Sequence, residues 1–560
     1  MKKKSFVYNA AILIFSAIIA KLIGAFFKIP LTNILGGNGM AYFSCAYSIF
    51  MPVYALSVTG LPVAVAKLVS EANAQNNYLK IHEIKLISFR LFSTIGFVFS
   101  AIVILFSYPF CKYIANLPFA WPSVVMIAPT VIISCITSVY RGYYEGLNDM
   151  YPTAISQIIE SVVKIISGLL FSYKSFEFLD NNPEIIRKIT FFFNIKSSEN
   201  EILYSVSSAA AILGITFSSF LGMIFVISIS KSDKSVIKIK KSNNKNLYKS
   251  LIRIAFPISV GSLVTSLTTL SDLTTITYSI EKIIEKSPDF FAFLNINRSE
   301  TAAFVYGSFT GLAITVFNLV PSVVNMFGKS IFPTISEAKV LNNHNKIKSS
   351  IEKAFLTSAF FAIPSGIGIT FLSKEILIFL FKEKIYEILI SYKSLSILGI
   401  GVIFLSLSTT IFSMLQALGR NDVPLKAMVL GTIIKVIGNI ILVPIPEINI
   451  NGAAISTTIS YIIIFIASTI SLLKETKIKI TAKIKSGIII MLYSSLLCGL
   501  SAKIAHMILS NFLSYRINLL LSIVFGGFIY LIFTATISYF DKSAVNSIKN
   551  SYFLKNSIEK

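Results

Sequence analysis

The sequence predicts an all-α polytopic membrane protein: about fourteen transmembrane helices, arranged as two parallel six-helix lobes around a central cavity, plus two C-terminal helices. Three observations predict it. Of 560 residues, 54% are hydrophobic and only 14% charged, with mean hydropathy +0.75; a soluble chain would carry roughly a quarter charged residues. Many apolar runs reach the ~20 residues that cross a bilayer as a helix. The runs are long and separated by Pro, Gly and Lys, unlike the ~10-residue alternating strands of a membrane barrel.

Taken in order, the spans fall near 6–34, 40–69, 86–113, 120–142, 150–174, 201–230, 248–280, 300–332, 352–380, 386–416, 424–446, 451–473, 484–509 and 515–540. The first follows Lys2, Lys3 and Lys4 and lacks a small-residue cleavage site, so it reads as a retained span and not a cleaved signal. Several exceed ~20 residues, and tilt or breaks are expected there. Cys45, Cys111, Cys135 and Cys498 lie in or beside apolar runs without a CxxC pair, which suits packing better than a disulfide or metal framework.

The net charge of +24 would suggest nucleic acid in a soluble protein, but its distribution follows the membrane. With the N-terminus inside, the termini and the loops after even-numbered spans hold about 31 of the 50 Lys and Arg residues; the opposite side holds about 13. This positive-inside bias predicts a cytoplasmic (inner) membrane protein with both termini in the cytoplasm and no nucleic-acid partner. The densest basic loop, 231–249, reads as an ordinary cytoplasmic loop that also suits anionic membrane lipids.

The chain repeats itself. Ser-Glu-Ala ends the second span at Ser70 and the eighth at Ser336, 266 residues on. GLNDMYP (146–152) opens the fifth span and GRNDVP (419–424) the eleventh, their prolines 272 residues apart. Two matches at nearly one offset imply duplicated halves of six spans each, parallel in the membrane. The expected divisions are an N-lobe at 1–240, a C-lobe at 241–480, and the appended spans with a cytoplasmic tail at 481–560.

Charges inside apolar spans are the candidate functional residues, because an ion at the bilayer centre costs about 2.5–3.5 kcal/mol even on lenient scales. In the fifth span Gln157, Glu160, Lys164 and Gly168 share one helical face. Lys21, Gly24 and Lys28 align in the first span, ahead of a possible kink at Pro30. The seventh carries a Ser/Thr stripe that ends at Asp272, and the tenth another from Ser406 to Gln416. The eleventh aligns Thr432, Lys435 and Asn439. Four lysines against two acids make the set net cationic, as an anionic phosphate or diphosphate headgroup requires. Structural readings stand beside this one: Glu160–Lys164 as a neutralised pair, Lys28 snorkelling to the interface, Lys435 as a strut, Asp272 bonding a neighbouring helix, and the hydroxyl stripes as packing glue. Glu160 and Asp272 are also the candidates for coupling to H⁺ or Na⁺. No P-loop, GxSxG or HExxH occurs, and His82, His344 and His506 are scattered, so neither an enzyme nor a metal or cofactor site is expected.

Several stretches together resemble the multidrug/oligosaccharidyl-lipid/polysaccharide exporter superfamily, in its polysaccharide-biosynthesis branch with stage V sporulation protein B and lipid II flippases. They are 21–43 (KLIGAFFKIPLTNILGGNGMAYF), 59–74, 141–161, 319–338, 415–439 and 450–461. The resemblance implies a V-shaped cavity, alternating access, and a polyprenyl-diphosphate glycolipid moved from the inner to the outer leaflet, with the membrane potential as a possible driver. It implies cavity roles for Lys21 and Lys28, where related flippases carry basic residues. Two further cavity arginines of some lipid II flippases have no counterpart: around Tyr54 and Val316 the chain is aromatic or apolar. The expected protein is a monomer. A cation-coupled multidrug exporter of the same superfamily and a non-transporting scaffold for envelope or spore assembly are the alternatives.

Overall fold

The computed structural model describes residues 6–192, 198–231, 245–476 and 482–558, which are helical nearly throughout, with no strand among them. The helices are α1 (Phe6–Ser57), α2 (Leu61–Ala74), α3 (Tyr78–Tyr113), α4 (Trp121–Gly146), α5 (Tyr151–Asp180), α6 (Pro183–Phe192), α7 (Glu199–Lys231), α8 (Lys245–Lys286), α9 (Arg298–Ser308), α10 (Ile314–Val340), α11 (His344–Phe371), α12 (Ser373–Leu380), α13 (Ile385–Ala417), α14 (Asp422–Leu442), α15 (Asn451–Thr476), α16 (Ala482–Leu509) and α17 (Tyr515–Ile558). Among the described residues thirteen helical stretches are long and apolar enough to cross a membrane. The first holds two legs, because Gly36 breaks α1 with φ 59 and ψ −166. That backbone region is essentially open to glycine alone. Counting both legs gives the expected fourteen. The break falls at Gly36 and not at Pro30, which α1 carries within its helical run. A π turn at Phe309–Ala313 joins α9 to α10 within one span. The short α6, outside every expected span, is an addition that hydropathy over ~20 residues could not show.

The helices are apolar outward and close-packed inward. On α3, Phe97 is 65% and Leu105 73% exposed, while Ser100 and Ser107 are buried. A Cβ on Gly96 of that helix would lie 2.9 Å from the Cα of Ile132 on α4. Large apolar faces without cover are untenable in water, whereas small residues at helix contacts suit association in lipid.

By contact the chain forms two compact units, Met1–Thr315 with Thr432–Ala453, and Val316–Gly431 with Ala454–Lys560. The first has an apolar core that includes Leu61, Val65, Ile84, Phe92 and Val139. A core cluster of the second includes Ile335, Ile351, Met414 and Leu415. This division differs from the lobes drawn at 240 and 480, which rest on sequence offset.

The repeat is visible in the backbone. After each Ser-Glu-Ala, an asparagine turns left-handed, Asn76 at φ 53 and Asn342 at φ 51. The next residue caps the following helix: Asn77 Oδ1 accepts from the Lys80 amide at 3.0 Å and Asn343 Oδ1 from the Lys346 amide at 2.9 Å. The second repeated stretch matches likewise, with positive φ at Asn148 and Gly419 and 2.9 Å closures from Asp149 N to Tyr144 O and from Arg420 N to Leu415 O.

Candidate functional site

The intramembrane charges of the first unit sort into paired and unpaired groups. Glu160 does not bond to Lys164, four residues along α5. Its Oε1 accepts from Arg141 Nη2 at 2.8 Å, and Arg141 Nε donates to Ser156 Oγ at 2.9 Å. Both side chains are mostly buried, 25% and 16% exposed. Gly222 of α7 makes the room: a Cβ there would meet the Glu160 carboxyl at 2.5 Å. At the end of the fourth expected span, Arg141 falls in the positive-inside reading with the cytoplasmic loop charges. The available signal was hairpin symmetry, since Arg141 and Ser156 lie equally far from the turn between α4 and α5, and Glu160 is one helical turn beyond Ser156.

Asp272 is also neutralised. On α8, its Oδ2 accepts from Lys435 Nζ of α14 at 2.5 Å, and its Oδ1 from Asn439 Nδ2 at 3.1 Å. Asn439 Nδ2 further reaches Thr275 Oγ1 at 3.0 Å, and Thr268 and Thr432 hydroxyls meet at 2.8 Å. Asp272, at the end of the seventh-span stripe, thus bonds Lys435 and Asn439 of the eleventh, with Lys435 only 6% exposed on its side chain.

Lys164 and Lys28 are different. Lys164 Nζ donates to Tyr47 Oη at 3.2 Å and lies 5.3 Å from the Phe27 ring centre and 5.6 Å from that of Tyr47. Such cation–π contacts are worth about 0.5–2 kcal/mol and bring no counter-charge. Half-buried Lys28 is near enough to Lys164 for electrostatic repulsion. Neither forms an ion pair with a carboxylate among the described residues. Gln157 Oε1 makes a long 3.4 Å contact with Ser16 Oγ. The Lys21 side chain lies outside the described residues, as do residues 232–244 of the basic 231–249 loop. The structure therefore brings Lys164, Phe27 and Tyr47 together on α1 and α5, with Lys28 within electrostatic reach of Lys164, and places Lys435 and Asn439 with Asp272. Phe27 and Tyr47 were missed in the sequence because aromatic residues on an apolar helix carry no distinguishing period.

The chain from residue 26 to 526 matches the family described as Lipid II flippase MurJ. The protein belongs to that family. Among relatives, Stage V sporulation protein B of Bacillus subtilis (strain 168) is 22% identical over 553 residues, 95% of each chain. Lipid II flippase MurJ of the same organism is 23% identical over 546 residues, 92% of each. The fold agrees with a solved structure of lipid II flippase MurJ in an inward closed conformation, at TM-score 0.63 and 18% identity, over 94% of this chain and 99% of that one. An inward-facing multidrug resistance MATE family transporter of the MOP superfamily follows at TM-score 0.59 and 13% identity, over 85% of this chain and all of that one. The family expected from the quoted stretches, and the multi-pass membrane character, are thereby established.

Proposed function

We propose that this protein moves a polyprenyl-diphosphate-linked glycan, lipid II or a related envelope precursor, from the inner to the outer leaflet by alternating access. Family membership supports a lipid-linked precursor as cargo. The observation that carries the anionic headgroup is the sorting of charges: both acids named in the sequence hold resident cations, while Lys28 and Lys164 hold no acid among the described residues. A diphosphate entering there meets two ammonium groups and the Tyr47 hydroxyl. Lys donates to phosphate as a point charge, without the fork that Arg offers, so this contact sets charge more than orientation. A multidrug exporter for organic cations would need free acids at this place, which favours the glycolipid over that alternative despite the shared fold. A scaffold would tolerate loss of both lysines.

With the cell interior negative, each negative charge carried outward gains about 2.3 kcal/mol per 100 mV. The potential can therefore drive the loaded step without a bound co-ion, and the return of the empty cationic cluster runs with the same field. The test is translocation of lipid II in proteoliposomes at a set potential, comparing wild type with Lys28→Ala and Lys164→Ala. The expected result is a loss of roughly tenfold or more per variant, equivalent to about 1.4 kcal/mol or more, with the melting temperature kept. Undiminished transport in both would remove the cluster from the mechanism.

A further inference from the structure

A separate group of buried acids lies where three chain reversals meet. The bend at Gly36 in α1, the start of α7 and the start of α9 fall on one side of the membrane, since an even number of spans separates each from the next. By the positive-inside bias that side is the outer one. α1 packs against both α7 and α9. Glu201 and Glu300, each in the first turn of its helix, are 4% and 1% exposed.

Capping explains part of the arrangement. Ser198 Oγ accepts from the Glu201 amide at 3.1 Å and Glu201 Oε2 from the Ser198 amide at 3.0 Å, a reciprocal capping box. Ser198 Oγ also donates to Glu300 Oε1 at 2.6 Å, and Asn297 Nδ2 donates to that oxygen at 3.0 Å. Asn38 Nδ2, just past the α1 break, donates to Glu300 Oε2 at 2.8 Å. The Ser299 hydroxyl bonds Glu201. All these donors are neutral. Arg298 donates instead to the Ile284 carbonyl at 2.8 Å, and no Lys, Arg or His among the described residues pairs with either acid. The two carboxylates act electrostatically on one another and on the buried Tyr42.

Capping does not explain why both acids are buried together without a counter-charge, since like charges so placed resist ionising jointly. Nor does it explain Asn38. That residue is 4% exposed, and its Oδ1 has no hydrogen-bond partner. Its Nδ2 rests on Glu300, and amide nitrogen and oxygen share one carbon, so this orphaned acceptor borders the carboxylate. Two carboxylates and a free amide oxygen form the donor set of a small hard cation.

We propose that Glu201, Glu300 and the Asn38 amide oxygen bind one small monovalent cation, either a proton or an alkali ion such as Na⁺. An alkali ion takes the three oxygens as ligands. A proton converts one carboxyl into the donor that the orphaned oxygen lacks. Either neutralises one of the two buried charges. The site stands apart from the cargo reading, because occupancy needs no lipid substrate. It also shifts the coupling ion away from Glu160 and Asp272, whose counter-charges are Arg141 and Lys435.

The test uses the purified full chain without lipid cargo. Equilibrium ²²Na⁺ binding and the infrared carbonyl band of protonated carboxyl groups are measured at neutral pH. The chains compared are wild type, Glu201→Gln, Glu300→Gln and the exposed control Glu285→Gln. Saturable Na⁺ binding lost in the Glu201 and Glu300 variants, and kept in the control, identifies an alkali ion. No Na⁺ binding, but a protonated-carboxyl band that a Glu201 or Glu300 variant removes, identifies a proton. Neither signal in wild type, or signals unchanged by both variants, overturns the site. Should both variants fail to fold, Asn38→Ala decides: weakened Na⁺ binding or a shifted band supports the site, and no change overturns it.

Discussion

A lysine held by a phenylalanine ring and a tyrosine has no counter-charge beside it; a lysine held by a carboxylate does. That contrast separates Lys164 from Lys435, although they stand at comparable places in the repeat. Removing one partner of a buried ion pair leaves an uncompensated charge, at a cost on the order of 3–5 kcal/mol, whereas removing both is often near neutral. Lys435→Met should therefore lower the melting temperature sharply in detergent. Adding Asp272→Asn to it should restore most of the loss, since Asn439 Nδ2 can still donate to the amide oxygen. A double variant no more stable than the single one would show that the pair is not the stabilising unit.

Between elements, α1 and α9 approach backbone to backbone at Gly37 and Gly307. A Cβ on Gly307 would run into the Gly37 carbonyl, and its nearest contacts include the Ala41 amide at 2.6 Å, so both obstacles are backbone and cannot rotate away. Gly307→Ala should fail to reach the membrane in folded form or melt well below wild type. Gly261→Ala on α8, where a Cβ meets nothing within 4 Å, should be neutral or gain up to about 1 kcal/mol from helix propensity. Expression and thermal melting of the two variants compare them directly. The repeated caps make a second pair: Asn77→Ala and Asn343→Ala should each cost about 1 kcal/mol, with similar effects, because the same hydrogen bond starts α3 and α11. A large difference between them would mean that the shared geometry carries unequal weight in the two halves.

At the scale of the whole molecule, the distribution of Lys and Arg sets the orientation to be expected. The basic bias predicts the turn before α11 in the cytoplasm and the turn after α5 outside. In intact cells a membrane-impermeant maleimide should label Asn181→Cys and spare Asn343→Cys, and opening the cells should expose the second. Reversed labelling would invert the topology, and with it the direction in which the membrane potential acts on an anionic cargo.

Much of this architecture was legible in the chain. All fourteen expected spans correspond to helical legs, and the boundary between the first two falls at the Gly36 break. The sequence singled out Glu160 and Asp272 but not their pairing, and it did not single out Glu300 at all. Glu160 takes Arg141 rather than Lys164; Asp272 takes Lys435, 163 residues away; Glu300 takes Asn38, 262 residues away. In lipid a helix satisfies its own backbone, so local hydropathy decides where each span begins and ends, and the sequence alone settles it. A desolvated charge instead binds whichever group helix packing brings within hydrogen-bond reach. No local period encodes that choice. Only the tertiary structure decides which lysines remain free for an anion and which acids are left without a counter-ion.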